Sequence, residues 1–281
     1  MKILQIIRNS IMALAVALGL LSPLLIHTPQ ANAAGKIAVY IVPHQDDETI
    51  SMGADIVAHV AAGRPVKLVM VHDGTASAAR GAICQKTGHC LTVQEFGAAR
   101  DREFIAAAAK LGVPASNITF ERLPEAQSTS AQAEAVIDKY IALYPGASFK
   151  TMSWLDLHPD HARLGYAMNN RCVFGQITDC RFLQSPLYQH GSTIKRNPVV
   201  TPKSGKYTNK PLVQAAANEY KYWNPQQGRY AVGYYSVKQQ IDYVYNSHYS
   251  LYHMNNSNWW STTDRNTAKS WIQTYQSPLM Q

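Results

Sequence analysis

Twice in this chain an apolar, strand-like run stops at a cluster of histidine and acid. Lys36 to Val42 (KIAVYIV) runs into Pro43-His44-Gln45-Asp46-Asp47-Glu48, and Phe149 to Leu155 leads to His158-Pro159-Asp160-His161. β-Branched runs bounded by polar residues predict buried strands. Between them the periodicity alternates. Helices are expected over Thr49–Ala62 (closed by Gly63), Gln94–Leu111 (closed by Gly112), Ser130–Tyr144 (stopped by Pro145-Gly146) and His161–Val173. Further strands are expected over Pro65–His72 and Asn117–Leu123. This β-α-β-α order implies an α/β fold: a mostly parallel sheet, helices on both faces and right-handed crossovers. From about Phe182 the pattern loosens, with one later helix expected around Ser236–His248.

In open α/β sheets, ligands bind beyond the carboxyl ends of strands. Both polar clusters fall at such ends. His44 and Asp47 are three apart, so one turn places them on one side; Asp46 points elsewhere within the same cleft. Two imidazoles and one carboxylate match a catalytic zinc site that keeps a position open for water. The same set also describes a non-haem iron site. Simple helix capping explains Asp47 or Glu48 singly, and a solvated turn explains the second cluster. Neither explains three adjacent acids beside a histidine, which repel one another without a cation.

The N-terminus reads as an export signal. Lys2 and Arg8 precede an apolar stretch, Ile11 to Ile26, and Ala31-Asn32-Ala33 is an A-x-A cleavage pattern, so residues 1–33 are expected to be removed after Ala33. The competing reading is a membrane anchor, which the short, proline-containing stretch disfavours. Residues 34–281 read as a single secreted domain, tyrosine-rich from about residue 190. In an oxidising compartment four cysteines allow three pairings. The local pairs, Cys84 with Cys90 and Cys172 with Cys180, are the simplest; free buried thiols are the alternative. The absence of C-x-x-C spacing disfavours a cysteine zinc site. Apolar residues make up 46%, which excludes a mainly disordered chain. Net charge is +8, or +6 without the first 33 residues, a field that suits anionic envelopes or polymers as well as nucleic acid and does not choose between them. Nucleic acid is not an expected partner.

PHQDDE followed by LHPDH resembles the PIG-L/LmbE-like family of zinc-dependent N-acetylglucosamine deacetylases, whose motifs run PHPDDE and HPDH. Arg100-Asp101-Arg102-Glu103, with Ala106 to Gly112, is similar to the family's R-x-x-E helix ending in Leu-Gly. The resemblance spans roughly residues 36 to 190. It implies a Rossmann-like three-layer fold, bound Zn2+, and hydrolysis of an N-acetyl amide on a sugar. It assigns the metal to His44, Asp47 and His161, general-base work to Asp46, and oxyanion assistance to His158, oriented and kept cationic by Asp160. Arg100 matches an arginine that contacts substrate hydroxyls. Gln45 replaces the motif's proline, and Asp156 stands where some members carry a tyrosine that enters the site. Ser236-Val237-Lys238 and His248-Tyr249-Ser250 faintly resemble the family's C-terminal stretch.

For an exported enzyme, cell-wall glycan, chitin fragments or an extracellular polysaccharide are the expected substrates. Tyr220, Tyr222, Trp223, Tyr230, Tyr234, Tyr235 and Trp259-Trp260 offer stacking platforms for sugar rings, ordinary packing being the competing reading. A non-catalytic carbohydrate-binding protein is the rival class. It has no use for an unligated Asp46.

Overall fold

Every residue of β1 (Ala38–Val42) is buried, because AVYIV carries one polar side-chain atom and that atom is satisfied: Tyr40 Oη donates to Asp55 Oδ2 at 2.7 Å. The computed structural model that shows this describes residues 36–154, 156, 158–184, 199–200, 210–247 and 250–253. The expected signal at 1–33, His248-Tyr249 and Trp259-Trp260 lie outside the described residues.

After β1 come α1 (Asp47–Ile50), α2 (Gly53–Ala61), β2 (Val66–His72), α3 (Ala79–Thr87), α4 (Val93–Lys110), β3 (Ile118–Leu123), α5 (Ser130–Leu143) and β4 (Ser148–Met152). The remainder is α6 (Pro159–Val173), β5 (Cys180–Gln184), β6 (Val199–Val200), α7 (Lys210–Glu219), β7 (Trp223–Asn224), β8 (Arg229–Tyr230), α8 (Val232–Ser247) and β9 (Ser250–His253). Strand order in the main sheet is β3-β2-β1-β4-β5-β9-β6. The first five strands run parallel; β9 and β6 are antiparallel, and β7 and β8 form a separate hairpin. Ala38 registers with Val66 on one side and Ser148 on the other. The order reverses at β1, so a crevice opens where the carboxyl ends of β1 and β4 diverge.

Successive strand side chains leave on opposite faces, and the sheet has a core on each. Ala38, Tyr40 and Val42 pack with Ile56, Phe104, Leu111 and Val213 beneath α2, α4, α7 and α8. Val39 and Ile41 pack with Ile137, Phe149, Leu164 and Met168 beneath α5 and α6. This is the expected three-layer α/β architecture. Each fully buried large apolar side chain contributes about 1.5–3 kcal/mol. Capping boxes start α4 (Thr92 with Glu95) and α5 (Thr129 with Gln132), where the apolar stripes place their beginnings.

Several elements differ from expectation. The helix expected over Thr49–Ala62 is broken at Ser51-Met52, which turns α1 so that Asp47 and Glu48 are buried. β4 stops at Met152, and α6 begins at Pro159, with His158 as its N-cap. Helix α3 was not expected, because it buries only Ala79 and Ile83 and lacks an apolar stripe; left-handed Gly88 (φ 74°) ends it. Helix α7 buries Val213, Ala216 and Ala217, a stripe too small to stand out in the sequence. Helix α8 starts earlier than expected. The carboxylate of Glu103 on α4 accepts from the amides of Val232 and Gly233 at 2.7 and 2.9 Å and anchors that start.

The expected local disulfides join Cys84 to Cys90 and Cys172 to Cys180. The second ties α6 to β5. Each closes a short loop, worth about 2–3 kcal/mol by the chain-entropy model.

Candidate active site

The two histidine–acid clusters meet at the β1/β4 crevice. His44 and Asp47 come from the turn after β1. The amide of His44 donates to Asp47 Oδ2 at 3.0 Å, which closes that turn. His158 and His161 come from the start of α6. Gly165 sets how near α6 lies: a Cβ there would collide with Trp154 N and Met152 O at the end of β4. Only glycine lets the helix rest its backbone on the strand end and carry His161 beneath β1.

His44 Nδ1 lies 3.1 Å from His161 Nε2 and 3.5 Å from Asp47 Oδ2, and His161 Nε2 lies 3.1 Å from Asp47 Oδ2. A tetrahedral zinc with bonds of about 2.0–2.1 Å has ligand atoms about 3.3–3.4 Å apart. The three atoms therefore outline one face of such a tetrahedron. The far nitrogens fit as well. His44 Nε2 lies 3.1 Å from Asp160 Oδ2, and His161 Nδ1 lies 3.3 Å from Asp156 Oδ2. Carboxylates behind both imidazoles fix their orientation and raise their basicity, as metal-ligating histidines require. The residues fit a metal ion.

Two other groupings compete less well. Donor atoms of His44, His158 and His161 lie within 4.8 Å of one another, a looser set. In the other, His44, His72 and Asp160, the carboxylate is already engaged, accepting from Ala126 N at 2.9 Å and Arg163 Nη1 at 3.1 Å. His72 sits behind it, 3.7 Å from Asp160 Oδ1, with its Nε2 3.0 Å from Ser128 Oγ.

Asp46 stays out of the triangle. Its backbone adopts φ 127°, a region costly for any residue but glycine. Two bonds hold it: its amide donates to Glu48 Oε2 at 3.1 Å, and its carboxylate accepts from Arg100 Nη2 at 3.1 Å. Burial pushes the Asp46 carboxyl up to about 7, against the pull of Arg100. Asp47 moves the other way. Burial raises it, but the His161 charge outweighs that and holds the carboxyl well below its ordinary value. Four buried carboxylates here (Asp46, Asp47, Asp156 and Asp160) make the cleft a strong cation sink.

His158 occupies a different environment from the one expected. Its Nδ1 accepts from the Asp160 amide at 3.3 Å, and the Asp160 carboxylate faces His44 instead. Burial, then the charges of His161 and His44, push the His158 imidazole down to about 3. It is therefore neutral, with Nε2 carrying the proton. The expectation of a cation sustained by Asp160 is corrected: Asp160 serves His44. Arg100 lines the cleft, but it is 2% exposed and donates to Gly74 O and Gln45 O as well as to Asp46. Its nearest task is holding Asp46.

The cleft measures about 330 Å³, and its far wall comes from Ser236, Val237 and Gln240 of α8. Sequence reasoning missed Asp156 as a partner of His161, although an acid two residues before His158 was the available signal. It also missed Glu125, which lies 3.8 Å from Arg100 Nη1. Tyr220, expected as a platform, is fully buried, and its hydroxyl donates to Glu48 Oε1 at 2.7 Å. The platform reading does not hold there.

Comparison with known proteins agrees with this geometry. The family described as PIG-L, GlcNAc-PI de-N-acetylase, matches residues 39–172, which contain both clusters. An N,N'-diacetylchitobiose deacetylase from Pyrococcus horikoshii superposes with a TM-score of 0.54 at 17% identity, covering 78% of this chain and 83% of that one. The A40926 pseudoaglycone deacetylase Dbv21 gives 0.51 at 19% identity, covering 73% and 85%. A deacetylase solved with teicoplanin gives 0.51 at 16% identity, covering 75% and 91%. No curated protein sequence matches significantly. At such identities the superpositions speak for the fold, and the family match speaks for the site: the segment that carries both clusters is similar to the family described as PIG-L, GlcNAc-PI de-N-acetylase.

Proposed function

We propose that the protein is an exported, zinc-dependent hydrolase that removes the N-acetyl group from N-acetylglucosamine-containing glycans. One observation carries the reading. A three-ligand face for a tetrahedral metal lies beside an aspartate, Asp46, that takes no part in it. A binding module has no use for such a carboxylate; amide hydrolysis does.

His44, Asp47 and His161 would hold zinc, which polarises an amide carbonyl and lowers the pKa of an attacking water. Asp46 takes the proton from that water as the new C–O bond forms, the task of a positioned carboxylate that is not itself a metal ligand. Arg100 keeps it aimed. The Nε2–H of His158 donates a hydrogen bond to the oxyanion of the tetrahedral intermediate and keeps its proton, because the Asp160 amide occupies Nδ1. Asp46 then returns its proton to the departing nitrogen as the C–N bond breaks. Acetate and a free amino sugar are the products.

The two disulfides support an oxidising destination, in keeping with residues 1–33 as a cleaved export signal and 34–281 as the working domain. The test is acetate release from N-acetylglucosamine oligomers by purified protein. Activity should vanish on chelation and return with zinc. Undiminished release after complete metal removal would overturn the proposal.

A further inference from the structure

A second cavity, about 570 Å³, shares helix α8 with the cleft. Ser236 and Val237 line the cleft, whereas Tyr234, Tyr235 and Lys238 line the second cavity. Its chemistry differs. Lys86, Lys221 and Lys238 surround Trp223, Tyr234 and Tyr235. Lys86 Nζ sits 5.6 Å from the Tyr235 ring centre; Lys221 and Lys238 sit 5.2 and 5.0 Å from that of Tyr234. Lys221 and Lys238 share one carboxylate, Asp242, at 2.8 and 2.5 Å. Lys86 has no carboxylate partner among the described residues. The groove is therefore net positive.

Its walls are also pre-set. Trp223 stands on the β7–β8 hairpin, edge-on to Tyr230 at 5.7 Å and to Tyr235 at 6.4 Å, and is 37% exposed. Lys86 lies within the Cys84–Cys90 loop. Groups held before a ligand arrives lose little freedom on binding.

Aromatic faces suit the C–H faces of sugar rings, and ammonium groups suit carboxylate or phosphate. Three lysines add nothing for a neutral chitin chain. We infer that this groove is a second saccharide subsite, holding an anionic sugar unit of the polymer whose N-acetylated unit enters the cleft. The cleft's occupant rests on the deacetylase reading; the groove's preference for anionic sugar does not. Nucleic acid would also meet lysines and rings, but the same helix walls a cleft whose residues fit an N-acetyl amide, and that favours a saccharide.

The test is calorimetric binding to the full chain carrying Asp46→Asn, which lowers turnover. Four probes are used: a hexasaccharide alternating N-acetylglucosamine with glucuronate, an N-acetylhexosamine oligomer joined by phosphodiesters, chitohexaose, and a single-stranded oligodeoxynucleotide. One anionic glycan should bind about tenfold or more tightly than chitohexaose, a difference of about 1.4 kcal/mol. Which of the two does so separates carboxylate from phosphate recognition. Lys86→Ala with Lys221→Ala should erase that preference, and Trp223→Ala should weaken the anionic glycan severalfold. Equal binding of chitohexaose, a preference that survives loss of the lysines, or tighter binding of the oligonucleotide would overturn the inference. Acetate release from N,N'-diacetylchitobiose, which has no anionic unit for the groove, should be unchanged by the lysine substitutions in an otherwise wild-type chain. If the wild type releases none while the anionic preference persists, the deacetylase reading fails and the groove stands.

Discussion

The strand-end site and the C-terminal wall of the cleft are built by different rules. At the ends of β1 and β4, each cluster is made of residues that are neighbours in sequence, His44 with Asp47 and His158 with His161, and the two clusters meet across the crevice. The wall formed by α8, and the packing behind it, depend on partners far away. Glu103 holds Val232 and Gly233 across 129 and 130 residues, and Tyr220 reaches Glu48 across 172. Local spacing can therefore carry the chemistry of this protein while leaving the shape of its cleft unstated.

Breaking the first region should have the largest effect. His44→Ala, Asp47→Ala or His161→Ala removes one of three ligands, so zinc content and acetate release should both fall to background. Full zinc occupancy in any one would strike that residue from the ligand set. His158→Ala leaves the triangle intact but removes an oxyanion donor. Its turnover should drop about 10²–10³-fold at unchanged zinc content. A loss of zinc in His158→Ala would instead make it a ligand.

The second region should break without touching the metal. Glu103→Ala leaves two buried amides unpaired and should cost about 2–3 kcal/mol in denaturant unfolding, with zinc affinity preserved. Burial raises Glu103 to about 7, above the ordinary 4.5, so folding favours its protonated form. Its contribution is full below about 4.5 and declines as pH rises towards 7. The unfolding midpoint of Glu103→Ala should thus depend less on pH across that window than wild type does; equal slopes would contradict the assignment. The smallest effect tests the outer carboxylates. Asp156→Asn should weaken zinc affinity about 10–100-fold, as read by chelator competition, because His161 loses its orienting partner. Unchanged affinity would reduce Asp156 to a cap for the His158 amide, which it also accepts at 2.9 Å.

Four of the five parallel strands, β1 to β4, and the positions of the site residues were legible, because apolar runs and their polar ends report burial directly; β5 (Cys180–Gln184) was not expected. What failed did so for identifiable reasons. Helix α3 is polar and held by Cys84–Cys90, so periodicity could not find it. Helix α7 buries alanines, which leave little apolar signal. The break at Ser51-Met52 follows from burying Asp47 and Glu48, a tertiary demand that overrides a continuous stripe. Asp160 was paired with the wrong histidine because proximity along the chain favours His158, whereas the fold brings His44 to its carboxylate across 116 residues.

The central claim is that Asp46 does chemistry beside a metal held by others, and one substitution separates those roles. Asp46→Asn keeps size but cannot accept a proton. Zinc per chain and acetate released from an N-acetylglucosamine oligomer should be measured on the same preparation. The account predicts near wild-type zinc with turnover lowered about 10²–10⁴-fold. Near wild-type turnover, or a chain stripped of zinc, would contradict it.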